Sequence, residues 1–277
     1  MLPSSIGTAT ATIGSQAMPV PFINLSGRIA IVTGASRGIG YAVAEAFANA
    51  GAQVHIIAEG EDVYRAAEGM WPGVGRKVTA HRCDITDRVA VEALAAKIPP
   101  PDVLVNNAGF EGLTWIADAS SATLERVERI SQINIVGTWS LTQALLPAMV
   151  KGASIICTAS IWSRTSEPGF SAYAASKHAT LGLVRTWAKE LGPRGIRVNA
   201  VAPGWVRTDA ALRSADHLAE ATGRTSEAIL AEVTAQQSLP GLIEASDVAG
   251  AYLFLASDWS ASITGQSIQV DRGAVHA

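Results

Sequence analysis

From about residue 27 onward, short apolar runs alternate with stretches of helical periodicity. Residues 29–32 form an apolar run that ends in Thr33-Gly34, and 41–50 carry good helix formers up to Gly51. A second β-rich run covers 53–57, a helical stretch 62–70, a third strand 77–82 and a helix 86–97. After the prolines at 99–101 come a buried strand at 103–105 and one long helix over 122–150. Strand 154–158, helix 172–191 and strand 197–201 follow, then helices within 211–237 and 246–257 and a last strand at 267–270. Apolar strands of this length separated by helices predict a parallel sheet covered on both faces. No repeat or composition break divides the chain, so the expected fold is α/β, a single doubly wound domain over 26–277. Residues 1–25 carry no charge and are expected to form a flexible tail.

Composition narrows the function. The 277 residues are 48% apolar, enough for a large core, and only 16% charged, against a usual share of about a quarter. That balance excludes a disordered chain. A net charge of −3 without any basic run argues against nucleic-acid binding. The uncharged stretch 130–150 contains Ser131, Gln132, Asn134, Ser140, Thr142, Gln143 and Pro147, too polar for a membrane span. The first 25 residues have neither the basic start of a signal peptide nor the arginines of a transit peptide, so a cytoplasmic protein is expected. Cys83 and Cys157 stand alone, with no metal-ligand spacing. No metal site is expected.

Candidate chemistry begins at the end of the first strand, where Thr33-Gly34-Ala35-Ser36-Arg37-Gly38-Ile39-Gly40 runs directly into a helix. Glycines allow a sharp turn and the close approach of a pyrophosphate, and the helix N-terminus offers free N–H groups to the anion. A purely structural turn is the alternative. Further along, Tyr173 and Lys177 stand four residues apart on a helix and project from one face. An ammonium beside a phenol favours the phenolate and lowers its pKa toward a useful acid–base range. Such pairs also occur on ordinary surfaces.

The spacing G-x-x-x-G-x-G at 34–40, Asn106-Asn107-Ala108-Gly109 after the fourth strand, Tyr173-x-x-x-Lys177 preceded by Ser160, and Pro203-Gly204 followed by Thr208 occur in one order along the chain. Together they resemble the short-chain dehydrogenase/reductase family, from about residue 25 to the C-terminus. The resemblance implies a Rossmann-type fold and an NAD(P)-dependent oxidoreductase that interconverts a secondary alcohol and a ketone. It implies that Tyr173 exchanges the proton, that Lys177 also binds the nicotinamide ribose, that Ser160 bonds the substrate oxygen, and that Asn134 holds a water linking Lys177 to solvent. The cofactor-binding positions it implies are Gly34, Ser36, Arg37, Gly38, Ile39, Gly40, Glu59, Asp84, Ile85, Asn107, Ala108, Gly109, Tyr173, Lys177, Pro203, Gly204, Val206 and Thr208. For Asp84 a plain helix N-cap is the alternative, and for Asn134 a buried polar residue satisfying backbone. Where the family often ends in D-G-G this chain has Asp271-Arg272-Gly273, and Arg272 is left between a subunit contact and a surface role.

Substrate contacts are expected from Ser160, Tyr173, Trp162 and Trp205, with loops and helices near 205–237 over the pocket. Aromatic walls including Phe170 favour a neutral substrate, and Glu111 and Glu167 disfavour an anionic one. His81 and His178 are expected to be structural. By resemblance the position reading the adenosine ribose falls on Ala58, followed by Glu59. Glu59, Glu61 and Asp62 in that loop outnumber Arg37 of the glycine turn, which favours NAD, with NADP not excluded. A carrier-bound 3-oxoacyl reductase using NADPH and a non-catalytic dinucleotide-binding protein are the alternatives. The helix bearing Tyr173 is apolar beyond one stripe, through Ala174, Ala175, Ala179, Leu181, Leu183 and Trp187. Together with the resemblance this predicts a homo-oligomer, a tetramer or a dimer.

Overall fold

The computed structural model describes residues 23–70 and 78–276. Most of the expected tail, and the first residue of the expected third strand, therefore lie outside the described residues. The last tail residue, Leu25, is buried, and its N–H donates to the Ala50 carbonyl at 2.8 Å. The packed domain thus includes at least this residue.

Strand β1 (Ile29–Thr33) leads through the glycine turn into α1 (Gly38–Asn49), and β2 (Gln53–Ala58) into α2 (Asp62–Gly69). Then come β3 (Val78–Arg82), α3 (Arg88–Ala95), β4 (Val103–Asn106) and α4 (Ser121–Ser131). The expected long helix does not run through. A π-helical stretch, Gln132–Gly137, separates α4 from α5 (Thr138–Leu145). The wider turn redirects Asn134 into the interior, where it is buried, and interruptions of this kind often mark functional positions. Next in order are β5 (Ser154–Thr158), α6 (Ser171–Leu191) and β6 (Arg197–Pro203). The chain closes with α7 (Asp209–Thr222), α8 (Ser226–Ala235), α9 (Ala245–Ala256) and β7 (Ser267–Val270). Thr208 and Thr225 cap the N-termini of α7 and α8, and Gly223, at φ +67°, ends α7.

All seven strands pair in parallel in the order β3-β2-β1-β4-β5-β6-β7. Alternate residues of the inner strands feed opposite cores. Ala30 and Val32 face the layer of α1 and α9, with Phe47 and Tyr252, whereas Ile31 faces the layer of α5 and α6, with Leu141 and Leu181. Each of the larger side chains, such as Val32, Ile31 or Leu141, contributes about 1.5–3 kcal/mol when taken out of water. Strand order reverses between β1 and β4, and a crevice opens beyond the carboxyl ends of strands at such a point.

Candidate active site

The crevice holds nearly all of the expected residues. A single cavity of about 390 Å³ is lined by the expected cofactor and substrate residues, with Gly40 and Asn134 just outside its lining. Gly34 and Gly40 show why the turn must be glycine. A Cβ on Gly34 would lie 2.8 Å from the Ala108 Cα, and one on Gly40 2.3 Å from the Gly34 carbonyl oxygen. The turn is locked to the β4 loop by Thr33, whose hydroxyl accepts from the Asn107 and Ala108 N–H groups at 2.9 Å each. The Asn107 amide in turn donates to the Thr33 carbonyl at 3.0 Å. Backbone crowding on one side and the open α1 N-terminus on the other leave a cradle suited to a pyrophosphate.

Asp84 accepts from the Thr86 N–H and hydroxyl at 2.9 and 2.7 Å, and Arg129 lies 3.7 Å away. Burial raises its pKa, but these bonds outweigh burial and hold the carboxyl below its ordinary value. The cap of α3 is Asp87, so Asp84 is left to the cleft wall.

At the far end of the cleft, β5 delivers Ser160 and α6 delivers Tyr173 and Lys177. The Ser160 Oγ accepts from the Trp162 N–H at 3.2 Å, which leaves its O–H to donate. Lys177 is 5% exposed, and its Nζ donates to the Thr158 carbonyl at 2.8 Å. The same Nζ lies 5.4 Å from the centre of the Tyr173 ring. Burial pushes the Lys177 ammonium down to about 8, against the pull of Glu111. The Tyr173 phenol is not lowered as expected. Burial raises it above its ordinary value of 10.0, Glu111 adds to the rise, and the Ser160 hydroxyl only partly offsets it. Desolvation of the phenolate is the largest influence on the group.

Asn134 anchors the loop beyond β4. Its Oδ1 accepts from the Phe110 N–H at 2.8 Å, and its Nδ2 donates to the Phe110 carbonyl at 3.0 Å and the Ser176 hydroxyl at 2.9 Å. Both amide hydrogens are thereby committed within the protein. Trp162 and Trp205 wall the cleft with ring centres 6.0 Å apart, and Tyr173 meets Trp162 edge-on at 5.8 Å. Phe170, expected in the wall, is fully buried behind Trp162 at 4.8 Å and does not reach the cavity. Nor does Glu167. Glu111 does reach it, and accepts from the Ser214 hydroxyl on α7 at 2.8 Å. Ser214 lies 103 residues from Glu111, and no local pattern points to it.

Residues with structural roles fall into place. His81 stacks on His55, with ring nitrogens 2.9 Å apart, and His178 bonds the Ala174 carbonyl. Arg272 adopts φ +55°, as a glycine would, and its guanidinium bonds the Pro240 carbonyl and pairs with Asp247 at 3.2 Å. No group of three potential metal ligands exists among the described residues, and no described helix is long and apolar enough to cross a membrane.

The ribose loop differs from expectation. Glu59 pairs with Arg129 at 2.9 Å, Glu61 with Arg82 at 3.0 Å and Asp62 with Arg37 at 3.2 Å. Each carboxylate of the loop meets an arginine, all three brought from outside the loop by the fold, and Arg129 is shared with Asp84. The negative excess that favoured NAD is largely offset by these pairs.

A glycine-cradled crevice at a strand-order reversal, with a serine, a tyrosine and a lysine at its inner end, defines a dinucleotide-dependent oxidoreductase. The comparisons agree. Residues 34–275 match a family model described as enoyl-(acyl carrier protein) reductase. The chain is 36% identical to the 3-oxoacyl-[acyl-carrier-protein] reductase FabG of Thermotoga maritima, over 91% of this chain and all of that protein. It is 35% identical, at TM-score 0.80, to a Beutenbergia cavernae protein assigned as an NAD(P)-dependent gluconate 5-dehydrogenase, with bound NADP at low occupancy, covering 91% and 98% of the two chains. A short-chain dehydrogenase from Burkholderia cenocepacia in complex with NADP gives 31% identity and TM-score 0.79, covering 91% and 99%. The chain belongs to the short-chain dehydrogenase/reductase family and is an NAD(P)-dependent oxidoreductase.

Proposed function

We propose that the protein interconverts a neutral secondary alcohol and its ketone with NADP(H), Tyr173 serving as general acid–base. The convergence of Ser160, Tyr173 and Lys177 at the inner end of the glycine-cradled cleft carries this assignment. When bound, the nicotinamide donates or accepts the hydride. The protein handles the proton. Ser160 donates to the substrate oxygen and fixes it against Tyr173, which gives up or takes the proton. Lys177, with its ammonium held by the Thr158 carbonyl, binds the ribose hydroxyls and supplies positive charge as the phenolate forms. Asn134 sets the height of the loop at 109–111 through its paired bonds to Phe110.

The phosphate form follows from charge. Arg37 lines the cleft, 63% exposed at its side chain, in a surface pair with Asp62. Such a pair is worth about 0–1 kcal/mol, so the guanidinium is easily recruited by a doubly charged 2′-phosphate. The NADP held by the Beutenbergia and Burkholderia relatives supports the same form. The Thermotoga relative supports a carrier-bound 3-oxoacyl group, also an uncharged ketone, as the second reading. Exposed Leu124, Val136 and Trp139 on the α4–α5 segment offer an apolar face for the expected homodimer or tetramer.

Replacing Tyr173 with Phe tests the assignment. Turnover is expected to fall by about 10²–10⁴-fold, with the cofactor Kd unchanged. A variant that keeps a tenth or more of the wild-type kcat overturns it.

A further inference from the structure

Glu111 is a carboxyl that the mechanism above does not use. It lies in the same cavity as Ser160, Tyr173 and Trp205, and its charge acts on both Tyr173 and Lys177. Its position is fixed from two sides. The neighbouring Phe110 backbone is clamped by Asn134, and its own side chain is held by Ser214 of α7. Among the described residues that serine supplies the one hydrogen bond to the carboxyl, and no cation stands within 4.0 Å of it. A carboxyl has about four acceptor sites. Burial is the largest influence on Glu111 and raises its pKa, against the Ser214 hydrogen bond and the charges of Lys177 and Arg213, and the remaining acceptor positions of the carboxyl face the cleft.

A donor arriving with the substrate would complete this site. An ammonium would share the cleft with Lys177 and meet like charge, and an anion would meet Glu111 itself. A hydroxyl satisfies the carboxyl at no cost in charge. Resting on the alcohol–ketone assignment, we propose that Glu111 is a specificity-determining residue that accepts a hydrogen bond from a second substrate hydroxyl near the reacting carbon. The substrates are then vicinal diols or cyclic polyols rather than simple apolar alcohols. Ser214 is a positioning residue that aims the carboxyl. The aromatic rings of Trp162 and Trp205 cover the carbon skeleton.

The test pairs vicinal diols with their deoxy counterparts, such as cis-1,2-cyclohexanediol with cyclohexanol and butane-2,3-diol with butan-2-ol. Wild-type kcat/KM with NADP is expected to favour the diol of each pair by about tenfold to a hundredfold, as for a hydrogen bond to a charged group. In Glu111→Gln and Glu111→Leu that ratio is expected to shrink, more so in the leucine variant. Ser214→Ala, which keeps the carboxyl, should lie between. Titrating the NADP-loaded proteins with the diols, followed by tryptophan fluorescence, should show the same order in Kd. Equal wild-type efficiency within pairs overturns the role of Glu111, as does an equal loss for both members of each pair in the variants. Absence of wild-type turnover for every alcohol in the panel instead removes the alcohol–ketone assignment, and the role of Glu111 with it.

Discussion

Replacing Lys177 with methionine should remove activity without weakening the fold at neutral pH. Burial lowers the Lys177 pKa from 10.5 to about 8. At about 1.4 kcal/mol per tenfold change in protonation, that displacement means roughly 3 kcal/mol of folding stability withheld while the group is charged. Methionine has similar length and carries no charge to desolvate. Against this, the variant loses the 2.8 Å bond to the Thr158 carbonyl, and an unsatisfied buried acceptor costs about 1–3 kcal/mol. The two contributions nearly cancel, so Lys177→Met should match the wild type at pH 7 within about 2 kcal/mol. The pH dependence separates them. The folded pKa lies below the unfolded one, so the folded state binds fewer protons and stability rises with pH between about 8 and 10.5. Below about pH 8 the penalty is fully present. The wild type should therefore gain about 2–3 kcal/mol relative to the variant between pH 7 and pH 10. Urea unfolding of both proteins without cofactor, across that range, measures the difference directly. Tyr173 and Tyr252 titrate in both proteins, so the comparison cancels most of their contribution. An offset between the two curves that stays constant with pH would refute the buried-ammonium penalty.

Two further outcomes are expected. Gly40→Ala places a Cβ 2.3 Å from the Gly34 carbonyl oxygen and 2.5 Å from the Asn107 Nδ2. Overpacking of this kind costs about 1–3 kcal/mol, so the cofactor Kd should rise by about tenfold or more, and a Kd within twofold of wild type contradicts the cradle. Wild-type kcat/KM should favour NADP over NAD, and Arg37→Glu should move the ratio toward NAD by about tenfold, the scale of a charged hydrogen bond. A wild type preferring NAD, or a ratio unmoved by the substitution, would show that Arg37 does not read the phosphate.

Much of the molecule is decided locally. Apolar runs such as Ile29–Thr33 and Ser154–Thr158 emerge as fully or nearly fully buried strands, because only a sheet covered on both faces takes a strand without polar alternation. The glycine turn and the Tyr173–Lys177 spacing were likewise visible, because each is a short stretch whose backbone or helical period fixes its own geometry, whereas Asn107 came only through the resemblance of its motif to the family. What lay beyond local reach depends on groups far apart in the chain. The π-helical break at Gln132–Gly137 is accompanied by Asn134 bonds to Phe110 and Ser176, which no helical pattern records. Arg82 and Arg129 offset Glu61 and Glu59 only because the fold brings β3 and α4 beside the loop after β2, so a count of charges along one loop overstates its negative character. Burial raises Tyr173 where proximity to Lys177 alone would lower it. Glu111 gains its setting from Ser214 on α7. Charge balance, desolvation and pocket shape are sums over neighbours in space, and the chain acquires those neighbours only on folding.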